Sequence, residues 1–142
     1  MSLASLALRT ANTTIAQAPM QLLCTGAVKA RILEMSLIQQ ANIQAGYSIG
    51  RPAAVAVTPA TTLTFQRDDS GDPACVTTIS ATYATSPTAP TVPHRRTNTA
   101  ATIGVGMVWT FPRGIIIPIS GAWTINNITA SNVLDVNVII DE

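Results

Sequence analysis

The last third of the chain alternates strand-length apolar runs with turn residues, and this pattern limits the possible folds more than any other feature of the sequence. The runs cover residues 103–111, 115–119, 122–125 and 133–140. Turns or loops are expected between them, at residues 112–114, 120–121 and 126–127. Short runs at such close intervals are typical of an antiparallel β-sandwich or barrel. In the last run the even-numbered residues from Leu134 to Ile140 are all apolar, so we predict that they face the core.

The composition supports an all-β fold and disfavours several kinds of ligand. Of the 142 residues, 11% are charged and 47% are hydrophobic, and the charged share is low beside the roughly 25% of an ordinary globular chain. Thr, Ser and Asn carry the polar share beside 9 Pro and 8 Gly, which favours strands and turns. A net charge of +1 with a single Lys provides no basic field for nucleic acid, and no apolar run is long enough to cross a membrane.

Residues 1–20 are predicted to form an extended N-terminal arm, and residues 21–142 a single domain. Leu3 and Leu6 belong to a short apolar patch with helix-like spacing. Terminal segments stay disordered unless something holds them, and here a partner could do so. A signal peptide is disfavoured because Arg9 follows the apolar patch, whereas the charged region of a signal peptide precedes it.

Residues 27–41 are the most ambiguous segment. They contain no Gly or Pro and several strong helix formers, so propensity alone indicates a helix. We nevertheless predict a strand, because the chain after them is β-like and tertiary context often overrides propensity. From there to the last third we predict, in order, a loop at 46–52, a strand at 55–65, an acidic loop at 66–73, a Thr-rich strand at 76–83 and an extended Pro-rich run at 85–93.

No group of residues has the pattern of a catalytic or cofactor site, so we predict that the protein is not an enzyme. The only histidine, His94, lies in a charged surface loop, whereas a catalytic base needs a packed scaffold. One His with two separate cysteines, Cys24 and Cys75, lacks the paired ligand spacing of a zinc site. The cysteines are interpreted as buried free thiols, with a single disulfide as the alternative. Gly104 and Gly106 begin a strand and not a phosphate-binding loop.

Two groups of charged residues are candidates for binding. Asp68, Asp69 and Asp72 could hold calcium, although a solvated turn is the favoured interpretation because the bidentate Glu of an EF-hand is absent. Arginine outnumbers lysine seven to one, and Arg prefers bidentate ion pairs at interfaces. Arginines beside predicted turns could pair with this loop, with residues 141–142 or with a neighbouring subunit, and are otherwise ordinary solvated charges. These arginines are Arg51, Arg95, Arg96 and Arg113.

Several short segments follow one another in an order that carries a resemblance. They are Ala30-Arg31-Ile32-Leu33-Glu34, Ile49-Gly50-Arg51-Pro52, Gln66 with Asp72-Pro73-Ala74, Pro87 to Pro93 followed by Arg95-Arg96, Val108-Trp109-Thr110-Phe111-Pro112-Arg113-Gly114, and Leu134-Asp135-Val136-Asn137-Val138 before Asp141-Glu142. In this order they resemble small virion proteins of tailed bacteriophages, and among these the head decoration, or cement, proteins. The segments are structural, so the resemblance transfers neither a catalytic residue nor a cofactor.

This resemblance implies an antiparallel β-sandwich of jelly-roll type, commonly a homotrimer on the capsid surface of virions made in the bacterial cytoplasm. The implied partners are the major capsid protein and further copies of the chain. We expect the arm and the Pro-rich run to lie across neighbouring capsid subunits, so that deleting residues 1–20 weakens attachment without unfolding the domain. The candidate contact residues are Leu3, Leu6, Arg9, Arg51, Arg95, Arg96 and Arg113.

The alternative is a tail, tail-fibre or baseplate module of the same β type, which binds another tail protein or a sugar on the host surface. A sugar site would require an exposed aromatic ring. Trp109 and Trp123 are instead interpreted as packing residues, in the core or between subunits.

Overall fold

The computed structural model describes residues 2–11, 17–55 and 57–142, with the backbone alone for residues 57–61. Within these ranges the chain forms eleven β-strands and no helix. In chain order the strands are β1 (Leu3–Arg9), β2 (Met20–Cys24), β3 (Ala30–Gln39), β4 (Ala45–Gly50), β5 (Val57–Thr64), β6 (Gln66–Arg67), β7 (Thr77–Thr85), β8 (Arg95–Thr99), β9 (Gly106–Ile117), β10 (Ala122–Asn127) and β11 (Leu134–Asp141). The same ranges accordingly hold no helix that could span a membrane.

The strands form two antiparallel sheets packed against each other, which confirms the predicted β-sandwich. The five-stranded sheet has the order β6-β1-β11-β3-β9, and the six-stranded sheet has the order β5-β7-β2-β10-β4-β8. On one side of the sandwich the sheets end in β9 and β8, where the Arg95 guanidinium lies over the Phe111 ring. On the other side they end in β6 and β5. The finer jelly-roll assignment stays a prediction.

The core lies between the two sheets and follows the two-residue period of the strands. Trp123 and Tyr47 are the largest of its fully buried side chains. The even-numbered residues from Leu134 to Ile140 are buried as predicted. Burying a large apolar side chain contributes about 1.5 to 3 kcal/mol, so these inward faces hold the sheets together.

The segment at residues 27–41 is a strand, as predicted. Strand β3 occupies most of it, and its inward residues Ile32, Met35 and Leu37 are buried. β3 lies between β11 and β9 in the five-stranded sheet. Pairing on both edges and a buried face therefore outweigh the helix propensity of these residues.

The turn predicted at residues 112–114 is a bulge inside a longer strand. Strand β9 continues through it, and its register against β3 shifts between Ile32 and Glu34. Gly114 has a φ of +65°, which is the left-handed region that favours glycine. Pro112 and Gly114 therefore indicate the bulge, but they do not end the strand, because β3 pairs with β9 on both sides of the bulge.

Three predicted loops are wrong in whole or in part because their residues belong to strands. Residues 46–50 of the predicted loop at 46–52 belong to β4, residues 66–67 of the predicted loop at 66–73 form β6, and residues 126–127 end β10. In the sequence Gly50 resembles a loop residue, but in the structure it leaves room for the Pro90 side chain, which would lie only 3.0 Å from a Cβ at this position. A glycine in a strand allows another segment of the backbone to approach closely.

The predicted N-terminal arm differs most from the structure. Leu3–Arg9 is β1, which pairs with β11 on one edge and with β6 on the other. Ala4 is buried, and Leu6 and Leu8 pack against the core. The two-residue spacing of these inward residues is a strand signal that the apparent helix-like spacing obscured. Residues 12–16 of the predicted arm lie outside the described ranges.

The outer face of the six-stranded sheet is covered by other parts of the chain over β4 and β10, whereas the edge strand β8 is largely exposed. Every residue of β4 and β10 is buried, although only alternate residues of a strand can face the core. The Pro-rich run has no regular structure over residues 86–94, and it passes over Gly50. It is held there by the His94 N–H, which donates to the Ile49 carbonyl at 2.8 Å, and by Ser86 Oγ, which accepts from the Ala18 N–H at 2.9 Å.

Candidate functional site

The outer face of the five-stranded sheet is a broad surface that we call the neutral face. It is built from the outward residues of four adjacent strands, β1, β11, β3 and β9, which the register aligns in rows. The rows are Arg9, Asp135, Ile38 and Gly106; Ala7, Asn137, Ser36 and Val108; Ser5, Ile139, Glu34 and Thr110; and Leu3, Asp141, Arg31 and Ile116. Each of these residues is exposed or half-exposed, so this face is open to a partner.

Four polar groups on the neutral face are paired with each other. Arg9 makes a bidentate ion pair with Asp135, with Nε donating to Oδ1 at 2.7 Å and Nη2 donating to Oδ2 at 2.8 Å. This hydrogen bonding lowers the pKa of Asp135 and raises that of Arg9. In the next row Asn137 Nδ2 donates to Ser36 Oγ at 2.9 Å. Arg31, Glu34 and Asp141 also lie half-exposed on this face and form none of the ion pairs found among the described residues, so a partner that covers them must supply opposite charges.

Apolar side chains are distributed across the same face. Val108 is 60% exposed near the β9 edge, and Leu3 is 47% exposed on β1. Ile38 and Ile139 lie half-exposed between them. An uncovered surface that combines exposed apolar side chains with polar groups is typical of a protein contact site.

A second surface lies on the side of the sandwich where β8 and β9 end the two sheets. Its arginines, which we call the basic edge, are Arg51, Arg95, Arg96 and Arg113. Arg95 and Arg96 begin β8, and Arg113 projects from the bulge of β9. Arg51 follows β4 and reaches β9, where its Nη2 donates to the Ile116 carbonyl at 3.3 Å. The structure thus brings Arg51, Arg95 and Arg113, which are far apart in the chain, to the same side of the sandwich, and Arg96 is next to Arg95 on β8.

The basic edge has no carboxylate partner within the chain. All Asp and Glu residues fall inside the described ranges, and the two ion pairs formed there are Arg9 with Asp135 and Arg67 with Glu142. His94 lies beside the arginines next to a cavity of about 440 Å³. Burial and the nearby charges of Arg51 and Arg95 lower the pKa of His94, which favours the uncharged imidazole.

The acidic loop, which we define as Asp68, Asp69 and Asp72, follows β6 at the opposite edge of the five-stranded sheet. Asp69 Oδ1 accepts from the Gly71 N–H at 2.8 Å, and Asp68 Oδ1 accepts from Ser5 Oγ at 3.2 Å. These bonds are typical of a polar turn. The part of the chain that the structure describes contains no group of three or more His, Cys, Asp or Glu placed to hold a metal ion, so the calcium interpretation gains no support.

A buried ion pair between Arg67 and Glu142 was not predicted. Arg67 Nη2 lies 3.6 Å from Glu142 Oε1, and the two side chains are 10% and 4% exposed. The carboxylate also accepts from the N–H groups of Val76 at 2.8 Å and Thr77 at 2.9 Å. These hydrogen bonds connect Val76 and Thr77, which follow the acidic loop, to Glu142 at the end of β11. No local pattern could indicate a pair that is separated by 75 positions.

The cysteines and tryptophans behave as packing residues. Cys24 and Cys75 are free and buried, as interpreted from the sequence. Burial and the nearby Glu142 carboxylate raise the pKa of Cys75, which keeps its thiol protonated. Trp123 is fully buried and Trp109 packs partly buried against the core, so neither ring forms an open platform for a sugar.

Known proteins add no further guide to the function of these surfaces. No family model, no curated protein and no solved structure matches the chain. Of the sequence-predicted contact residues, Leu3 and Arg9 lie on the neutral face and the other four arginines form the basic edge. Leu6 instead faces inward and packs against the core, because its neighbours on β1 alternate between the two faces.

Proposed function

We propose that the protein is a virion structural protein that decorates the capsid, binding the outer surface of an assembled phage head through its neutral face. The observation that carries the proposal is the neutral face itself, which the chain leaves uncovered while it covers both sides of β4 and β10 in the other sheet. The resemblance of the sequence to head decoration proteins supports the same role. The partners are the major capsid protein and further copies of the chain, and the role is structural and not catalytic.

The chemistry of the neutral face suits contact with a protein lattice. Arg9 and Asp135 neutralise each other, and Asn137 is bonded to Ser36. A partner can cover these four groups without leaving a buried charge unpaired, whereas Arg31, Glu34 and Asp141 require complementary charges on the partner. Leu3 and Val108 supply exposed apolar area, which favours association.

The size of the neutral face favours a contact that is repeated many times. Four strands about 4.8 Å apart and four rows about 6.8 Å apart give a surface of roughly 500 Å². A standard interface buries about 800 Å² on each partner, so one neutral face provides only modest affinity. On a capsid the contact recurs over the whole lattice, and binding only to the assembled form stabilises that form by mass action.

Cryo-electron microscopy of virions from the source that encodes this chain tests the role directly. We expect many copies at regular positions on the head, with the five-stranded sheet against the shell. A few copies on the tail would overturn the decoration role in favour of a tail or baseplate module. A particle without the chain would overturn both.

Two matched substitutions distinguish docking from folding. Val108→Arg adds a charge to the β9 side of the neutral face, and Ile103→Arg adds one to the loop before β9, where Ile103 is 56% exposed beside 60% for Val108. An unpaired charge in an interface costs several kcal/mol, so we expect Val108→Arg to weaken binding to purified capsids about tenfold or more. Ile103→Arg should bind as the unmodified protein does. Equal binding by both variants, with circular dichroism showing that both are folded, rules out the neutral face as the docking surface.

A further inference from the structure

We propose that copies of this chain associate head to tail, with the basic edge of one copy seated on the acidic loop of the next. The contact is independent of the capsid and concerns the protein in solution. It uses the sides of the sandwich and leaves the neutral face open.

The first argument is that the chain separates its charges onto opposite sides. The basic edge lies at β8 and β9, and the acidic loop follows β6, at the other end of the five-stranded sheet. With three strands between β6 and β9, the two edges are about 19 Å apart. The four arginines and three aspartates make up almost half of the chain's 15 charged residues, 8 basic and 7 acidic. The two clusters are of opposite sign and lie on opposite sides, so the basic edge of one copy can meet the acidic loop of another.

The second argument is that both clusters keep hydrogen-bonding capacity for a partner. Arg51 donates to the Ile116 carbonyl and Arg95 Nη1 to the His94 carbonyl at 2.8 Å, which orients these guanidinium groups without neutralising them. A guanidinium has five N–H donors in a planar fork, so further donors remain for carboxylates. Arg95 is also stacked 5.9 Å from the centroid of the Phe111 ring, which holds it at the edge.

The acidic loop is held in a defined position for the same contact. The Asp68 N–H donates to the Leu3 carbonyl at 3.0 Å, and the Asp72 N–H donates to the Asp69 carbonyl at 3.2 Å. Asp68 and Asp69 are exposed and Asp72 is half-exposed. Their carboxylates form none of the ion pairs found among the described residues. Each can accept more hydrogen bonds than the chain provides.

The opposite positions of the two clusters determine the geometry of association. In a two-fold dimer the same patch of both copies faces the partner, and two opposite edges cannot both do so. The contact is therefore heterologous, and each copy that joins exposes a new basic edge or acidic loop. Association continues until a ring closes or a filament forms. It also covers the edge strands β6 and β9, whose outer backbone groups would otherwise stay open to unspecific strand pairing.

Charge reversal on each edge, alone and combined, tests the proposal. The first variant carries Arg95→Glu, Arg96→Glu and Arg113→Glu, and the second carries Asp68→Lys and Asp72→Lys. Asp69 is left unchanged because it bonds the Gly71 N–H within the turn. The control is Lys29→Glu, which reverses an exposed charge on neither edge. Masses are measured by light scattering and sedimentation at low salt and at about 0.5 M salt, where charge interactions are screened.

We expect the unmodified protein to form multiples of the 14.8 kDa chain that dissociate at high salt. Each single-edge variant should associate about tenfold or more weakly, because like charges then face each other. A chain with both edges reversed, and an equal mixture of the two single-edge variants, should associate again. The Lys29→Glu control should match the unmodified protein.

Three results would overturn the proposal: a protein that is monomeric under all conditions, single-edge variants that associate normally, or folded reversed pairs that fail to restore association. Circular dichroism of each variant shows whether it is folded, and the mixture tests complementarity even where the fully reversed chain does not fold. Capsid binding is measured separately, so a monomer that still decorates heads contradicts this inference alone.

Discussion

The two sheets share one core but differ in what lies on their outer faces. In the six-stranded sheet β4 and β10 are buried on both sides, since the Pro-rich run and neighbouring loops lie over them. In the five-stranded sheet the outward residues of β1 and β9 stay exposed. A face that is covered by the chain itself contributes to the stability of the domain, whereas a face left open is available for a partner. The difference therefore separates the residues that maintain the fold from those that we propose contact the capsid.

The largest expected effect comes from removing β1. Deleting residues 1–10 leaves an edge of β11 unpaired and exposes the core that Ala4, Leu6 and Leu8 cover. We expect a loss of at least about 5 kcal/mol, which is comparable to the whole stability of a small domain, and hence no cooperative thermal transition. This result differs from that expected of a detachable arm.

Circular dichroism and thermal unfolding of the truncated chain provide the measurement. The control is Leu3→Ser, which changes an outward residue of the same strand and should unfold as the unmodified protein does. A truncated chain with a normal transition would show that β1 is an arm after all.

The second-largest expected change in the free energy of unfolding comes from truncating a core residue, compared with the same change on the neutral face. Trp123→Ala removes a fully buried ring, and such truncations cost about 3 to 5 kcal/mol. Val108→Ala on the exposed face should change the free energy of unfolding by no more than about 0.5 kcal/mol. Urea denaturation of both variants measures the two values. Similar losses for the two would mean that the neutral face contributes to the core and is not available for docking.

A smaller effect contrasts the covered and open faces directly. Gly50→Val introduces a side chain where even a Cβ would lie 3.0 Å from Pro90 and 3.3 Å from the Pro93 backbone. Overpacking of this kind costs about 1 to 3 kcal/mol. Ala7→Val enlarges an exposed strand residue of the neutral face and should leave the urea midpoint almost unchanged. A midpoint unchanged in both variants would refute the close covering of β4.

The smallest effect concerns the exposed ion pair of the neutral face. Hydrogen bonding from Arg9 lowers the pKa of Asp135 in the folded state below the ordinary value of 3.8. The pair therefore stabilises the fold above that ordinary pKa, and the contribution is lost as the pH falls through the folded-state pKa. We expect Arg9→Gln to be slightly less stable than the unmodified protein at pH 6, and the difference to shrink as the pH falls below 3.8. A difference independent of pH, measured by urea denaturation, would contradict this assignment, and Asp135→Asn should behave like Arg9→Gln.

Where the local pattern matched the local environment, the sequence was enough to predict the structure. The alternation in residues 133–140 predicted both β11 and its core face, because one side of that strand is buried and the other is open. In β4 this contrast is missing, since both sides are buried and the residues include glycines. A strand with two covered faces shows no alternation, so Gly46 and Gly50 were interpreted as loop residues.

The position of β1 could not be predicted from the sequence for a second reason. Its residues pair with β11, so that Ala7 lies opposite Asn137 near the other end of the chain. A short segment with one apolar patch contains no information about that partner. Its assignment to an arm followed from its terminal position, and the long-range pairing decided otherwise.

By itself, the sequence determined the all-β class, the strand character of most segments and the near-zero net charge. The alternation of apolar residues, the turn residues between strands and the composition are all local properties of the chain. The tertiary structure alone decided that β1 is part of a sheet, that one outer face stays open, and that Arg51, Arg95 and Arg113 meet on one side, opposite the acidic loop. Each of these features arises from contacts between residues far apart in the chain, and such pairings depend on how whole strands align and pack rather than on any neighbouring residues.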